Sequence, residues 1–187
     1  LLLVTEGFKV KLNAVLMKNF NDNEIIDFIQ FTKDLPISVR FIEFMPFDGN
    51  KWDLQKMVSY KEVMEYVHRS FSEAQIVRLQ DAPNDTSKNY KIRGYKGSFA
   101  IISSVTNPFC DSCNRLRLTA NGQLKNCLFS SSESDLLTTL RSGKSIEPII
   151  KKAVEAKLKV RGGMDTIEKL QEPDLHSQNR SMITIGG

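Results

Sequence analysis

Alternating and periodic apolar positions in the first part of the chain predict a strand, a helix and a second strand. Hydrophobic and polar residues alternate over 8–16, which is typical of a strand with one buried face. Asn21, followed three residues later by Glu24, predicts an N-cap and the start of a helix. A second apolar strand is predicted over 37–45. Because strands joined by a helical crossover run parallel, residues 1–47 predict one unit of a parallel α/β layer, too small to stand alone.

The remainder of the chain predicts further helices and antiparallel strands. Ser59 and Glu62 have the spacing of a capping box, which predicts a helix through about Phe71. The polar segment 80–89 predicts a loop, and strands are expected over 90–106. The last predicted elements are a hairpin that turns at Asn121-Gly122 and helices near 134–141 and 145–160. The whole pattern predicts a mixed α/β (α+β) fold.

Composition narrows the class of protein. The chain has 187 residues, of which 41% are hydrophobic, so it can bury a core as one domain or as one domain with a piece of another. The net charge of +4 suits a phosphate-bearing ligand but is too small to indicate a nucleic-acid groove. No apolar stretch reaches the length of a membrane span, and residues 1–4 are too short for a signal peptide. The chain opens on Leu in the middle of an element, which indicates a piece of a longer protein.

The cysteines are the most informative feature of the sequence. Cys110, Cys113 and Cys127 lie in one short segment, and no other cysteine occurs in the chain. The Cys-x2-Cys spacing lets two thiolates reach one metal centre from a single turn. A structural zinc site normally has four ligands, and only the distant His68 and His176 are available as a fourth. A [4Fe–4S] cluster held by three cysteines keeps one iron open. The spacing favours the cluster, with zinc and unligated thiols as alternatives.

Two arginines follow the second cysteine at alternate positions. Arg115 and Arg117 would share one face of a strand, because side chains alternate across a strand. Two guanidinium groups beside a metal centre form an anion clamp, since each can bind phosphate oxygens bidentately. The alternative is an ordinary solvated strand face.

The register of the predicted hairpin distinguishes these two interpretations. A two-residue loop at Asn121-Gly122 would pair Cys127 with Leu116, away from the arginine face. A three-residue loop with a glycine bulge would pair Cys127 with Arg115 and place thiolate and arginines on one face. The functional interpretation therefore predicts the bulged hairpin.

These motifs resemble a known family. The string Cys-x2-Cys-Asn-Arg-Leu-Arg-Leu-Thr, the Asn-Gly turn, Leu-Lys-x-Cys-Leu and the terminal Ile-Gly-Gly resemble the C-terminal half of the GTP 3′,8-cyclases of molybdenum cofactor biosynthesis. These are radical S-adenosylmethionine enzymes. Lys11-Leu12-Asn13 and the residues 39–46 look like late strands of the family's barrel, and residues 47–52 look more like its eukaryotic members. The resemblance covers nearly the whole chain.

The resemblance implies a role for each matching residue. The three cysteines would hold the C-terminal [4Fe–4S] cluster, whose open iron binds the guanine of GTP. Arg115, the backbone of Leu116, Arg117 and Lys11 match residues that contact GTP.

Further roles are implied for residues at a strand end and at the chain terminus. Met45 matches a methionine that lies against S-adenosylmethionine, and Arg40 is a candidate active-site residue. Gly186 and Gly187 resemble a double glycine that reaches into the active site, where small residues permit close backbone approach.

The resemblance also implies a fold and a reaction. Residues 1–47 would be the last strands of an incomplete radical S-adenosylmethionine barrel, and residues 48–187 a C-terminal domain that binds the cluster and GTP. In the family's reaction a 5′-deoxyadenosyl radical abstracts the ribose 3′ hydrogen, and the sugar carbon attacks guanine C8. The product is 3′,8-cyclo-7,8-dihydro-GTP, and the protein supplies orientation and phosphate electrostatics.

The sequence departs from the family in one important respect. The N-terminal Cys-x3-Cys-x2-Cys motif, which holds a second [4Fe–4S] cluster and S-adenosylmethionine, does not occur in these residues. The lyase activity is therefore expected of the complete protein, and the chain by itself is expected to be inactive.

Partners and location are also implied by the family. They are GTP, a second copy of the complete enzyme in a homodimer and a pathway link to cyclic pyranopterin monophosphate synthase, with no membrane and no nucleic acid. A reducing intracellular location is expected, the mitochondrial matrix for a eukaryotic member. The alternative is a zinc-stabilised, non-catalytic module that binds anions or RNA.

Overall fold

The computed structural model describes residues 2–176 and 178–185 and divides into two compact units. One unit contains Leu1–Met45 and Leu54–Phe109, and the other contains Pro46–Asp53 and Cys110–Gly187. This division differs from a single cut after residue 47, because residues 54–109 pack with the first unit. The predicted boundary between barrel and cyclase-specific domain stays a prediction.

The first unit is built on a five-stranded mixed sheet with the strand order β1-β2-β5-β4-β3. The strands are β1 (Lys11–Leu16), β2 (Ser38–Glu43), β3 (Ile76–Arg78), β4 (Lys88–Ile92) and β5 (Ser98–Ile102). β1 and β2 are parallel, as predicted, and β5 also runs parallel to β2. β3, β4 and β5 pair antiparallel, so the sheet changes from parallel to antiparallel at β5.

Two helices cover one face of this sheet. The helices of the unit are α1 (Leu2–Thr5), α2 (Ile25–Asp34) and α3 (Tyr60–Ser70). Ile25 and Ile29 of α2, and Val63 and Val67 of α3, are buried in one cluster with Phe41 and other strand residues. Because β2 alternates strictly, Val39, Phe41 and Glu43 are buried while the residues between them are only partly covered.

The predicted caps of these helices had different outcomes. The capping box of α3 is confirmed: Ser59 N donates to Glu62 Oε2 at 2.8 Å, and Glu62 N donates to Ser59 Oγ at 3.3 Å. Asn21 stands at the N-cap position of the turn that leads into α2, but its side chain makes no cap hydrogen bond. Its side chain accepts from Met17 N at 2.8 Å instead, and a 3-10 turn at Asp22–Glu24 precedes α2. The amide thus closes the turn that leaves β1, which satisfies the backbone there.

The second unit combines a small antiparallel sheet with short helices. Its elements are β6 (Arg117–Leu118), β7 (Gln123–Lys125), β8 (Ser134–Asp135), α4 (Leu137–Arg141), α5 (Glu147–Glu155), α6 (Ile167–Gln171), α7 (Pro173–His176) and α8 (Met182–Ile185). The strand order is β6-β7-β8, and Leu124, Leu136 and Ala153 form an apolar cluster between sheet and helices. The two helices predicted after the hairpin are confirmed, with shorter bounds.

The structure confirms a mixed α/β fold with a mixed sheet and an antiparallel sheet. The assignment of the first sheet to a radical S-adenosylmethionine barrel stays a prediction. Within the described residues, no helix combines the length and the apolar character that crossing a bilayer requires.

Candidate metal centre

The first two cysteines lie on one tight turn. Cys110 opens a 3-10 turn, Cys110–Ser112, and the backbone N–H of Cys113 donates to the carbonyl of Cys110 at 3.1 Å. Both thiols are free and only partly buried. The turn therefore presents two sulfur atoms from one short piece of backbone, as the Cys-x2-Cys spacing indicates.

The third cysteine is carried by the hairpin, whose register confirms the bulged form. Arg117 pairs with Lys125 and Leu118 with Leu124. Gly122 N donates to Thr119 O at 2.9 Å, and Gly122 has a φ of +76°. This geometry is a type I turn followed by a left-handed glycine, which defines a three-residue loop with a bulge.

The confirmed register bears on the position of the third cysteine relative to the arginines. Continued two residues beyond the ladder, it brings Cys127 opposite Arg115. The strands are shorter than predicted, because hydrogen-bonded pairing ends at Arg117 and Lys125. Cys127 therefore leaves the sheet on a loop rather than on a strand.

Each cysteine sulfur has an N–H donor near it. Arg161 N donates to Cys110 Sγ at 3.5 Å, and Lys157 Nζ donates to Cys113 Sγ at 3.4 Å. The backbone N–H groups of residues 129 and 130 act on the Cys127 thiol and lower its pKa. Such donors stabilise thiolate over thiol, and they are the kind of contact that sulfur ligands of a metal centre receive.

Burial sets the charge state of the third thiol. Burial raises the pKa of Cys127, and the nearby Cys110 adds to that rise. Backbone donors and the Lys157 ammonium oppose it. A thiol held protonated in this way is deprotonated when a metal takes the place of its proton.

The donor set fits an iron–sulfur cluster, although the side chains are not gathered as closely as a bound ion would require. Between residues 2 and 176, and again from 178 to 185, no group of three or more His, Cys, Asp or Glu side chains has the geometry to hold a metal ion. Three free thiols with N–H donors at their sulfurs are nevertheless the ligand chemistry of such a cluster. Ligation by the three cysteines stays a prediction.

The residues predicted to contact nucleotide in the second unit lie beside this centre. Arg117 is half-buried in β6, whereas Arg115 is exposed and its carbonyl accepts from Lys157 Nζ at 2.9 Å. Leu116 between them is 40% exposed.

In the first unit, Lys11 and Arg40 lie on the same face of the sheet. Lys11 pairs with Ser38 and Asn13 with Arg40, which places all four on the face opposite to the buried Val39. This is the face away from α2 and α3. The sheet therefore displays a lysine and an arginine on one polar surface.

The Arg40 guanidinium is incompletely bonded. Its Nε is buried and has no hydrogen-bond partner in the part of the chain that the structure describes. A buried donor without a partner costs free energy, and functional sites are where such groups persist.

The remaining predicted residues lie at a strand end and at the terminus. Met45 is partly buried two residues after the end of β2, in the segment that follows the carboxyl end of a parallel strand. Ligands of α/β sheets bind at such ends. Gly186 and Gly187 lie outside the described residues.

Sequence reasoning missed Glu43, whose buried carboxylate binds the start of α3 and the loop after β5. This carboxylate is 2% exposed and accepts from Val105 N at 2.7 Å and Thr106 N at 2.9 Å through Oε2. Its Oε1 accepts from Tyr60 N at 3.0 Å and from the Thr106 hydroxyl. The signal was present, because strand alternation places Glu43 on the buried face with Val39.

A buried lysine in the second unit was also missed. Lys125 is fully buried, and its ammonium donates to Ser130 O and to Asn179 Oδ1, the latter at 2.9 Å, with Glu133 at 3.6 Å. Burial lowers the pKa of Lys125, and the Glu133 carboxylate opposes that change. Arg180 donates to Glu133 through two nitrogens and lowers the pKa of Glu133. These contacts attach the C-terminal segment to the loop after Cys127.

Comparison with known proteins shows the family to which the chain belongs. The family described as Molybdenum Cofactor Synthesis C matches residues 37–162. The match covers more than half of the chain, and the chain belongs to this family.

Individual relatives make the comparison more specific. The chain is 49% identical over 181 residues to "GTP 3′,8-cyclase, mitochondrial" of Arabidopsis thaliana, covering 95% of this chain and 44% of the relative. It is 42% identical over 184 residues to "Molybdenum cofactor biosynthesis protein 1" of Mus musculus, covering 96% and 28%. A bacterial relative, "GTP 3′,8-cyclase" of Aquifex aeolicus, is 45% identical over 131 residues, covering 70% and 40%. The resemblance seen in the sequence is confirmed, and the chain spans less than half the length of these relatives.

Proposed function

We propose that this chain is the substrate-holding part of a GTP 3′,8-cyclase of molybdenum cofactor biosynthesis. The observation that carries the proposal is the register of the bulged hairpin, which pairs Arg117 with Lys125. Extended by two residues beyond the paired strands, this register would set Arg115 opposite Cys127. This arrangement serves a protein that holds a metal centre and an anionic ligand next to each other. The names of the relatives supply the identity of the anion, GTP.

The cysteines would hold a [4Fe–4S] cluster in this proposal. Cys110 and Cys113 would supply two sulfur ligands from one turn, and Cys127 would supply the third from the loop after β7. When bound, such a cluster supplies one iron with an open coordination position, here for the guanine of GTP. N–H groups around the sulfurs would disperse the negative charge of the thiolates.

The basic residues would orient the nucleotide. Arg115 and Arg117 offer planar donors to phosphate oxygens. The backbone of Leu116 is proposed as a further contact. In the first unit, Lys11 is proposed to contact GTP, and Arg40 to use its unpartnered Nε in the active site. Met45 is proposed to lie against S-adenosylmethionine, and Gly186-Gly187 to reach the active site.

The complete cyclase requires more chain than these residues provide. The second cluster that generates the radical, the homodimer and the link to cyclic pyranopterin monophosphate synthase are proposed for the whole protein. A mitochondrial location is proposed because the Arabidopsis relative carries that word in its name. The isolated chain is expected to bind GTP without converting it.

Titration of the cluster-reconstituted chain with GTP tests the proposal. Arg117→Ala is expected to weaken binding at unchanged iron content, because losing a charge-assisted contact costs about 1.5–3 kcal/mol, on the order of ten- to a hundredfold in Kd. Arg141→Ala, at the exposed end of α4, removes the same charge as a control. Equal affinity in Arg117→Ala and wild type would refute the arginine clamp.

A further inference from the structure

The ammonium of Lys157 connects the cysteine turn to the arginine segment. Its Nζ donates to Cys113 Sγ at 3.4 Å and to the carbonyl of Arg115 at 2.9 Å. It also acts electrostatically on Cys127. One cation thus interacts with two of the three cysteines and with the backbone of a proposed GTP contact.

The segment that follows Lys157 is packed against the loop that follows Cys127. Four residues on, Arg161 is 5% exposed and has a φ of +43°, and its guanidinium donates to the carbonyls of Met164 and Asp165, each at 2.8 Å. A Cβ at Gly162 would lie 3.0 Å from Ser130 N, which shows how closely the two backbones approach. The backbone four to five residues after Lys157 is therefore held close to the loop that follows Cys127.

We propose that Lys157 is a positioning residue for the [4Fe–4S] cluster, an inference that rests on the proposed function. A cluster with three thiolates carries a net negative charge. A cation that donates to a ligating sulfur withdraws electron density and favours the reduced state, since hydrogen bonds and charge near the sulfurs set the potential. Through the Arg115 carbonyl, the same group fixes the backbone that carries the anion clamp.

This role differs from that of a nucleotide contact. A lysine that only binds phosphate would change GTP affinity and leave the cluster unaltered. A lysine bonded to Cys113 Sγ changes the cluster itself, with no nucleotide present. Measurements on the GTP-free chain therefore separate the two.

The test compares Lys157→Met and Lys157→Arg with wild type in the anaerobically reconstituted chain. Lys151→Met is the matched control, because Lys151 lies on α5 in an exposed pair with Glu147. The readouts are iron and sulfide content, the midpoint potential of the cluster and the rate of iron release to a chelator. Lys157→Met is expected to release iron about tenfold faster, as for losses around metal ligands, and to have a more negative potential. Lys157→Arg is expected to retain most of both properties, and Lys151→Met to match wild type.

Each result decides the inference. The inference is overturned if Lys157→Met has the midpoint potential and the iron-release rate of wild type. This holds even if the variant binds GTP more weakly. If Lys157→Met does not take up iron and sulfide, Lys157→Arg is the decisive variant. Arginine moves the positive charge, which is expected to shift the midpoint potential by a smaller but measurable amount. An unchanged potential in Lys157→Arg would overturn the role. A wild-type chain that takes up zinc and no sulfide would refute the proposed function itself, which is a different failure.

Discussion

Arg117 lies directly across the hairpin from Lys125, and this pairing fixes the geometry of the proposed site. The pairing ends there, and the same register extended by two residues would set Arg115 opposite Cys127. Lys125 is buried and bonded to the C-terminal segment through Asn179, while Arg117 remains partly accessible. One strand pair therefore connects the segment that leads to Cys127, the proposed anion clamp and, through Lys125, the segment that contains Asn179.

Gly122 maintains this register, and Gly122→Ala is expected to destabilise the second unit. Its φ is +76°, where an L-residue costs about 1–2 kcal/mol. A Cβ there would also lie 2.3 Å from Leu137 Cβ. Gly143→Ala is the matched control, because Gly143 has a φ of +72° and open space around its Cβ position. Urea unfolding is expected to show a clearly larger loss for Gly122→Ala, together with lower iron content. Equal losses of unfolding free energy in Gly122→Ala and Gly143→Ala would show that the close approach of Leu137 to Gly122 does not determine the loop conformation.

Glu43→Gln is expected to destabilise the first unit by about 2–3 kcal/mol, because a buried carboxylate that accepts charge-assisted hydrogen bonds is lost. Glu43 accepts from the N–H groups of Tyr60, Val105 and Thr106. A carboxamide has one acceptor oxygen, so its NH₂ group would face donors. Glu65→Gln on the exposed side of α3 provides a control of equal chemistry. Denaturant unfolding in which both variants match wild type would show that the Glu43 contacts do not hold the segment before Cys110.

Asp81 is expected to make the stability of the 80–89 segment dependent on pH. The Arg78 side-chain hydrogen bond, assisted by Asn89, lowers the pKa of Asp81 to about 2. Because the folded-state pKa is lower than the unfolded value of 3.8, this stabilisation is complete above about pH 4 and is lost as pH falls toward about 2. Since the Arg78 side chain is 42% exposed, the effect is on the order of 1 kcal/mol.

Thermal unfolding of Asp81→Asn across this pH range measures the effect. The difference in Tm between wild type and variant is expected to be largest above about pH 4 and to shrink as pH approaches about 2. Asp34→Asn, at an exposed helix end, controls for the change in net charge. A difference in Tm that stays constant with pH would show that the Arg78 pair does not stabilise the folded state.

The elements that follow from local rules were predictable from the sequence. The capping box at Ser59 and the parallel pair β1 and β2 depend on residues close in sequence or on a strict period. Two loop lengths were open at Asn121-Gly122, and only the functional interpretation predicted the bulge that the register confirms. The metal centre that the cysteine spacing indicates stays a prediction. The Asn21 side chain makes no cap hydrogen bond because its amide found backbone partners in the turn before the helix, which helix-cap rules do not consider.

The rest depends on contacts between distant residues. The pairing of β5 with β2 joins segments about sixty residues apart, and nothing in either strand specifies the other. Lys125 occupies a strand position that ordinarily predicts solvent, yet it is buried with Asn179 and Glu133 as partners. Lys157 likewise meets Cys113 only through the packing of the segment after α5. Such contacts carry no periodic signal in a single sequence.

The most direct test of the central claim is the iron, acid-labile sulfide and zinc content of the anaerobically purified chain, measured beside Cys127→Ser. The proposal predicts about four irons and four sulfides per wild-type chain, as for one [4Fe–4S] cluster, with absorbance near 400 nm. It predicts loss of iron in Cys127→Ser, because the loop after β7 supplies the third ligand. One zinc with no sulfide in the wild type, or full retention of iron in Cys127→Ser, would contradict it.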